Sequence, residues 1–267
     1  MNEFTILYEG ETLHWTSPDA LMLRSMLNLC IEAKVHPMVA ATRKLITRDG
    51  PAIDVGACVG SMAYLLDVMK PGIETHCYEP AKESYDCLIE NVANMPNVHC
   101  YNYGLSNKDA EMTLAMPSVP QKQYMNYFKS DNVGIMSVYG ASDYRRQPII
   151  VKVLDDLHDK ASVIKVDAEG HDYQIMLGAR NLVMNSRPLL MLEFIPANFT
   201  LSGNKLEDYL TLLFDDYKYV PVGGHWGMVY WIPAEDAPED VQKSSFEFKK
   251  QDNQWTSGYG VEMTTKK

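Results

Sequence analysis

Short apolar runs alternate with amphipathic stretches from residue 51 to residue 232. The runs Ala52–Val55, Thr75–Tyr78, Val98–Tyr103, Val163–Val166 and Leu189–Phe194 are bordered by Gly, Pro, Asn or Asp. They read as buried strands. Residues 58–69, 80–94, 171–184 and 204–216 read as helices between them, and Pro80 suits a first helical turn. Met228–Ile232 closes the series as a last strand. Strand and helix in alternation predict an α/β fold, a mostly parallel sheet with helices on both faces.

The alternation breaks in three places. Phe4–Tyr8 and Thr12–Trp15 flank Glu9-Gly10-Glu11 and predict a hairpin. Ser17-Pro18 then reads as a helix start, followed by apolar positions Leu21, Leu23, Met26, Leu27, Cys30 and Ile31. A second helix is expected over 37–48. Further on, Met112–Met116 and Ile149–Leu154 read as strands around a polar stretch rich in Ser, Tyr, Asn, Gly and Gln. A connection of that length in a compact domain tends to be functional or mobile. From Pro233 the chain is charged and polar with weak periodicity, so partial disorder is expected. The predicted organisation is an N-terminal hairpin and helical cap over 1–50, a central domain over 51–233 with a lid insertion at about 108–152, and a polar tail over 234–267.

Composition narrows the classes. The 267 residues, 46% of them hydrophobic, suffice for one domain with a cap. A formal net charge of −11 argues against nonspecific binding to nucleic acid or anionic membrane. The five cysteines form no CxxC pair, so buried thiols in a reducing, cytoplasmic compartment are expected rather than disulfides or zinc. Cys58 sits in a glycine turn as a small residue that fits. No basic-then-apolar leader and no long apolar window is present, so neither secretion nor membrane spanning is predicted.

The chemistry gathers at three strand ends. Asp54-x-Gly56-Ala57-x-x-Gly60 follows the first strand of the series. Glycines there let backbone approach a ligand, and Asp54 or its neighbourhood can meet an ammonium. The spacing lacks the third glycine of a pyrophosphate-binding turn, which favours a phosphate-free nucleoside cofactor over NAD. Glu79-Pro80 ends the next strand, where a carboxylate can grip two ribose hydroxyls. An acid there suits NAD equally. Gly104 and Ser106 follow the third strand, where an adenine would lie. The third element, Lys165-Val-Asp167-Ala-Glu169-Gly170-His171-Asp172, crowds ionisable groups at the end of a buried-type strand. In open α/β sheets ligands sit at such ends. Asp167 and Glu169 stand at the end of this strand, and one of them is expected to start the turn.

Asp54-Val-Gly56-Ala57, Tyr78-Glu79-Pro80, Leu154-Asp155-Asp156-Leu157, Lys165-x-Asp167-x-Glu169-Gly170, Leu177-Gly178-Ala179 and Arg187-Pro188…Glu193 occur in that order. Together they resemble the FkbM-type family of S-adenosylmethionine-dependent methyltransferases, over about residues 50–232. Asn132-Val-Gly134…Ser137 is similar to a segment of the same family. The resemblance implies a class I methyltransferase (Rossmann-like) fold, a seven-stranded sheet whose last strand is antiparallel. It implies S-adenosylmethionine as cofactor, held by Asp54, Gly56, Ala57, Gly60, Glu79, Pro80, Gly104, Ser106 and Asp167. Better-known members methylate hydroxyls on sugars and polyketides, so the expected partner is a small carbohydrate or hydroxylated metabolite. Substrate contacts are expected at Asn132 and Glu193. The position after Gly170 is commonly acidic in the family, and here it is His171.

Methyl transfer is an in-line displacement, and a hydroxyl acceptor must lose its proton. Asp167, Glu169 and His171 are the candidate bases, and Lys165 is expected to pair with a carboxylate. Asp167 and Glu169, with His171, also offer donors for a divalent metal, a less favoured reading because no ligand spacing is diagnostic. Tyr124, Tyr127, Tyr139, Tyr144 and Trp15 are candidates for stacking on a substrate. N-methylation with the same cofactor site, a non-catalytic methyltransferase-like binding domain and an NAD enzyme are the rival readings.

Overall fold

The computed structural model describes residues 2–8, 11–17, 37–116, 138, 145–194, 198, 202–225, 228–239, 245–248 and 263–266. The helix expected after Ser17, Asn132 and the four lid tyrosines lie outside the described residues, and so does the side chain of Trp15.

The central sheet has seven strands in the order β11-β12-β10-β9-β3-β4-β5. These are β3 (Ala52–Val55), β4 (Thr75–Tyr78), β5 (Val98–Tyr101), β9 (Val163–Val166), β10 (Leu189–Glu193), β11 (Tyr219–His225) and β12 (Met228–Pro233). Strands β5, β4, β3, β9 and β10 run parallel, and β12 is antiparallel to both β10 and β11. This is the class I methyltransferase topology that the resemblance implies. The sequence pattern had not shown β11. Pro221, Gly223 and Gly224 dilute its strand signal, and its register shifts between Pro221 and Gly223.

Strands buried on both faces explain the continuous apolar runs. Ile53, Val55, Ile164, Val166, Leu190 and Leu192 face one core with Ile175, Leu182 and Leu213. Ala52, Val163, Leu189 and Met191 face the other with Leu65 and Leu66. The second face is covered by α1 (Pro37–Leu45) and α2 (Ser61–Met69). The first is covered by α4 (Asp172–Leu177), α5 (Arg180–Ser186) and α6 (Leu206–Thr211) with its π-helical continuation Leu212–Asp216. α3 (Lys82–Asn91) packs Leu88 against Ala57, Ala63 and Cys77. Among the described residues no helix is long and apolar enough to cross a membrane.

The single helix expected over 171–184 is two. Gly178 is the reason: a Cβ there would stand 2.2 Å from the carbonyl oxygen of Ser106. The chain breaks so that strand β6 (Gly104–Ser106) can approach this closely. β6 belongs to a separate three-stranded sheet, β6-β8-β7, with β7 (Ala110–Met116) and β8 (Arg145–Val153) antiparallel to each other. These are the two strands read around the polar stretch, and the long connection between them lies mostly outside the described residues. The run read as one strand over 98–103 therefore ends at Tyr101, and the chain re-enters a different sheet at Gly104.

The N-terminal hairpin pairs β1 (Asn2–Tyr8) with β2 (Glu11–Ser17) as expected. Asn91 joins β2 to the body. Its side chain accepts from Thr16 N–H at 2.7 Å and donates to the carbonyls of Thr16 and Val59 at 2.9 and 2.8 Å. In the tail, expected to lack order in part, Ser245–Phe248 (β13) and Met263–Lys266 (β14) pair antiparallel.

Replacing Gly178 by Ala tests the close approach, because φ at this position is ordinary and only the added carbon matters. The variant is expected to lose about 2–3 kcal/mol of stability, measured by urea denaturation. An unchanged midpoint would contradict the packing described.

Candidate active site

The turn after β3 is built from left-handed residues, with φ of 73° at Gly56, 52° at Cys58 and 95° at Gly60. Gly56 is required by the protein itself: a Cβ would lie 1.9 Å from the carbonyl oxygen of Asp167. The turn after β3 and the start of the loop after β9 therefore touch backbone to backbone. The N–H groups of Gly56 and Ala57 donate to the Tyr78 carbonyl, that of Gly60 to Ala57, and that of Cys58 to Glu79. A pyrophosphate would need such groups free.

Asp54 and Lys165 stand opposite each other in the register of β3 and β9. Both are buried, and Lys165 Nζ lies 3.0 Å from Asp54 Oδ1. The same ammonium donates to the carbonyls of Val55 at 3.0 Å and Gly56 at 2.7 Å. Burial pulls the Lys165 pKa down, but the charges of Asp54 and Asp167 outweigh it and the net direction is up. Burial pushes Asp54 up despite Lys165, and neither of its oxygens receives a well-directed hydrogen bond. Both values therefore move up, which favours the charged form of Lys165 and the neutral form of Asp54. We take Lys165 as firmly charged, because three acceptors surround it. The sequence reading aimed Asp54 at a ligand ammonium. The structure buries its carboxylate completely inside the sheet and turns it to Lys165.

Glu79 joins the two motifs it lies between. Oε2 accepts from Cys58 N–H and Oε1 from Ala81 N–H, each at 2.8 Å. Burial pushes its pKa up to about 7, against the pull of those two bonds. Each carboxylate oxygen keeps a second lone pair, which is what a ribose diol requires. Asn102 Nδ2 donates to the Glu79 carbonyl at 2.9 Å and fixes the strand end. Pro80 lies against Gly104, where a Cβ would meet its ring at 3.6 Å.

Asp167, Glu169 and Glu193 come from the carboxyl ends of neighbouring strands β9 and β10, and one oxygen of each lies within 4.8 Å of the others. Asp167 is the open member, its side chain 37% exposed. Glu169 adopts φ 49°, a strained value for a residue with a Cβ. Gly170 follows at φ 96°, where a Cβ would stand 2.8 Å from the Asn198 carbonyl oxygen. Asn198 Nδ2 bridges the acids, donating to Glu169 Oε2 at 3.2 Å and Glu193 Oε2 at 2.9 Å. Burial, then the charge of Asp167, pushes Glu169 up to about 8. Burial also pushes Glu193 well up, helped by Asp167, Glu169 and Asp172. Asp172 caps the turn by accepting from Gly170 N–H at 3.2 Å, and burial pushes it up to about 7.

His171 is placed elsewhere. It is buried, its Nε2 meets Ser106 Oγ at 3.0 Å, and burial pulls its pKa down to about 4. It is a neutral ring that ties the loop after β9 to β6. Ser106 is buried beneath it. Asn198 and Asp172 were missed as contributors to the site. Asp172 stood inside the quoted motif, but its inward direction is not a sequence property. Asn198 carried no pattern at all.

The donors suit S-adenosylmethionine better than a dinucleotide. The amides of Gly56, Ala57, Cys58 and Gly60 are occupied internally, Glu79 keeps lone pairs that a diol can use, and nearby carboxylates attract a cationic group. Residues 54–221 match the family profile described as the methyltransferase FkbM domain. No curated protein sequence matches the chain. Among solved structures, the methyltransferase FkbM from Methylobacillus flagellatus KT is 19% identical at a TM-score of 0.45, over 68% of this chain and 43% of that one. This chain thus spans less than half of that relative. Aeropyrum pernix fibrillarin with natively bound S-adenosyl-L-methionine is 10% identical at 0.43, over 86% of this chain and 82% of that one. The Bacillus cereus O-methyltransferase in complex with SAH is 11% identical at 0.40, over 80% and 90%.

Lys165→Met leaves the Asp54 carboxylate buried without its partner. The expected loss is about 3–5 kcal/mol in urea denaturation. Adding Asp54→Leu should recover part of it, since the two carbonyls stay unserved. Full stability in the single variant would contradict the pairing. A pH dependence also follows. Glu79, Glu169 and Asp172 hold protons more tightly folded than unfolded, so between about pH 4.5 and 8 the native state carries more protons. Stability from these groups is therefore lost as pH rises through that window. His171, with its pKa lowered, opposes this only below about pH 6.5. Thermal unfolding should show the melting temperature falling from pH 6.5 to 8.5. Glu169→Gln should reduce the accompanying loss of unfolding free energy by on the order of 1–2 kcal/mol, and an unaltered slope would count against the burial of that carboxylate.

Proposed function

This chain belongs to the FkbM family of S-adenosylmethionine-dependent methyltransferases, and we propose that it methylates a hydroxyl oxygen on a sugar or other small hydroxylated metabolite. The observation that carries this reading is the convergence of Asp167, Glu169 and Glu193 beside the turn after β3. Carboxylates accept hydroxyl groups, and two or three of them together can orient adjacent hydroxyls of a polyol.

S-adenosylmethionine supplies an electrophilic methyl group on a sulfonium. In the proposal Glu79 accepts from the two ribose hydroxyls, the turn from Gly56 to Gly60 shapes the floor, and Gly104 and Ser106 border the adenine. Asp167, the exposed acid, receives the acceptor hydroxyl and holds it in line. As the acceptor oxygen displaces sulfur at the methyl group that S-adenosylmethionine would supply, Asp167 or Glu169 would take up the hydroxyl proton. Glu193 and Asn198 hold Glu169 in place and flank the acceptor. His171 serves as a positioning residue through Ser106. The acidic walls also suit a cationic amine, which keeps N-methylation as the second reading. A divalent cation can occupy the same acids, and the proposal does not require one. The free thiols Cys58, Cys77, Cys87 and Cys100 support a cytoplasmic setting.

Calorimetric titration tests the cofactor site. S-adenosylmethionine is expected to bind in the micromolar range, NAD is not, and Glu79→Ala should weaken binding at least thirtyfold. Unchanged affinity in the variant would remove Glu79 from the site. A screen of sugars and amines with EDTA present and absent then reads acceptor class and metal need. Methylation confined to amines would overturn the hydroxyl reading.

A further inference from the structure

A second group of donor side chains lies near the opposite ends of β4 and β5. In their parallel register His76 stands beside His99 and Tyr78 beside Tyr101. Side chains alternate along a strand, so these four share one face while Cys77 and Cys100 take the other. Glu74, two residues before His76, reaches the same face. Its Oε1 is 2.9 Å from His76 Nε2 and 3.7 Å from His99 Nε2. One ligand atom from each of the three residues lies within 4.8 Å of the others. Along β4 this cluster is about 10 Å from Glu79.

We propose that Glu74, His76 and His99 form a binding site for a divalent transition metal of the zinc class. Two ligands about 2.0–2.1 Å from a tetrahedral ion stand about 3.3–3.4 Å apart. The two separations to Glu74 straddle that value. Shifts of a few tenths of an ångström bring these two to that value, the two imidazole nitrogens lie within 4.8 Å of each other, and the Glu74 and His99 side chains, 57% and 46% exposed, are free to close around an ion. Two imidazoles and one carboxylate are a recognised zinc set, with a fourth position left for water. Imidazole donors select zinc, copper or nickel over magnesium or calcium.

The outer contacts fit as well. Tyr101 OH lies 3.1 Å from His76 Nδ1, the kind of bond that fixes a ligating ring and aims its other nitrogen. His158 packs edge-on against His76 with ring centres 4.6 Å apart. Its own Nε2 engages Tyr78 OH at 2.6 Å, so it supports the ring and is not a ligand. A plain Glu74–His76 ion pair needs one imidazole and leaves the approach of His99 to the same oxygen unexplained. The metal would clip β5, the terminal strand of the sheet, to β4.

The test is titration of metal-free, untagged full-length protein with Co²⁺, followed by visible absorption, and with Zn²⁺, followed by calorimetry. One equivalent of Co²⁺ should give the intense d–d bands of a low-coordinate site with nitrogen ligands. His99→Gln and Glu74→Gln should each weaken Zn²⁺ binding at least tenfold. Both positions are exposed, so the variants should fold, and circular dichroism checks this. Asp167→Asn should leave binding intact, which separates this site from the acids near Glu79. No binding, unchanged affinity in His99→Gln, or loss of binding in Asp167→Asn would each overturn the proposal.

Discussion

The ammonium of Lys165 is taken out of water between two parallel strands, and the geometry of the site follows from how it is compensated. Removing such a charge from solvent costs several kcal/mol unless close acceptors replace the water. Asp54 supplies one, and the carbonyls of Val55 and Gly56 supply two more. Those carbonyls belong to the end of β3 and its turn, so the charge fixes the turn. The left-handed Gly56 then rests against the Asp167 carbonyl, which sets where the loop after β9 begins. From there Glu169 and Gly170 bend under Asn198, and the acids of β9 and β10 meet. A buried ion pair is a poor source of stability, but here it specifies the relative position of two strand ends that carry the chemistry.

Glu79 repeats this logic one strand away. Its two oxygens bind an amide of the turn after β3 and an amide at the start of α3, so the carboxylate is held before any ligand arrives. Its raised pKa reflects burial, and a diol donating two hydrogen bonds would favour the ionised form. Burial likewise pushes up Glu169 and Glu193, which share the Asn198 amide. A cluster of acids of this kind attracts a cationic group and repels phosphates.

Much of the fold was legible in the sequence because buried parallel strands leave apolar runs and helices leave a period. Ala52–Val55, Thr75–Tyr78 and Val163–Val166 were read to the residue. What failed depends on tertiary contact. β11 is hidden by Pro221 and two glycines, and the helix over 171–184 is cut because Gly178 meets Ser106. Among the candidate residues, type and order announced Glu79, Asp167 and Glu169, and the structure sets their carboxylates at the ends of β4 and β9. The inward turn of Asp54 depends on register with Lys165, which spacing along the chain does not encode. His171 looked available for proton transfer because its neighbours are acidic, yet helix geometry sends it to Ser106. Asn198 acts only through the loop that carries it.

A crystal structure of the protein with S-adenosylhomocysteine tests the central claim most directly. The expected result places both ribose hydroxyls within hydrogen-bonding distance of Glu79, the adenine near Ser106 and the sulfur facing Asp167, with the Lys165 contacts unchanged. A ligand bound away from Glu79, or one that displaces the turn at Gly56 to gain entry, would contradict it.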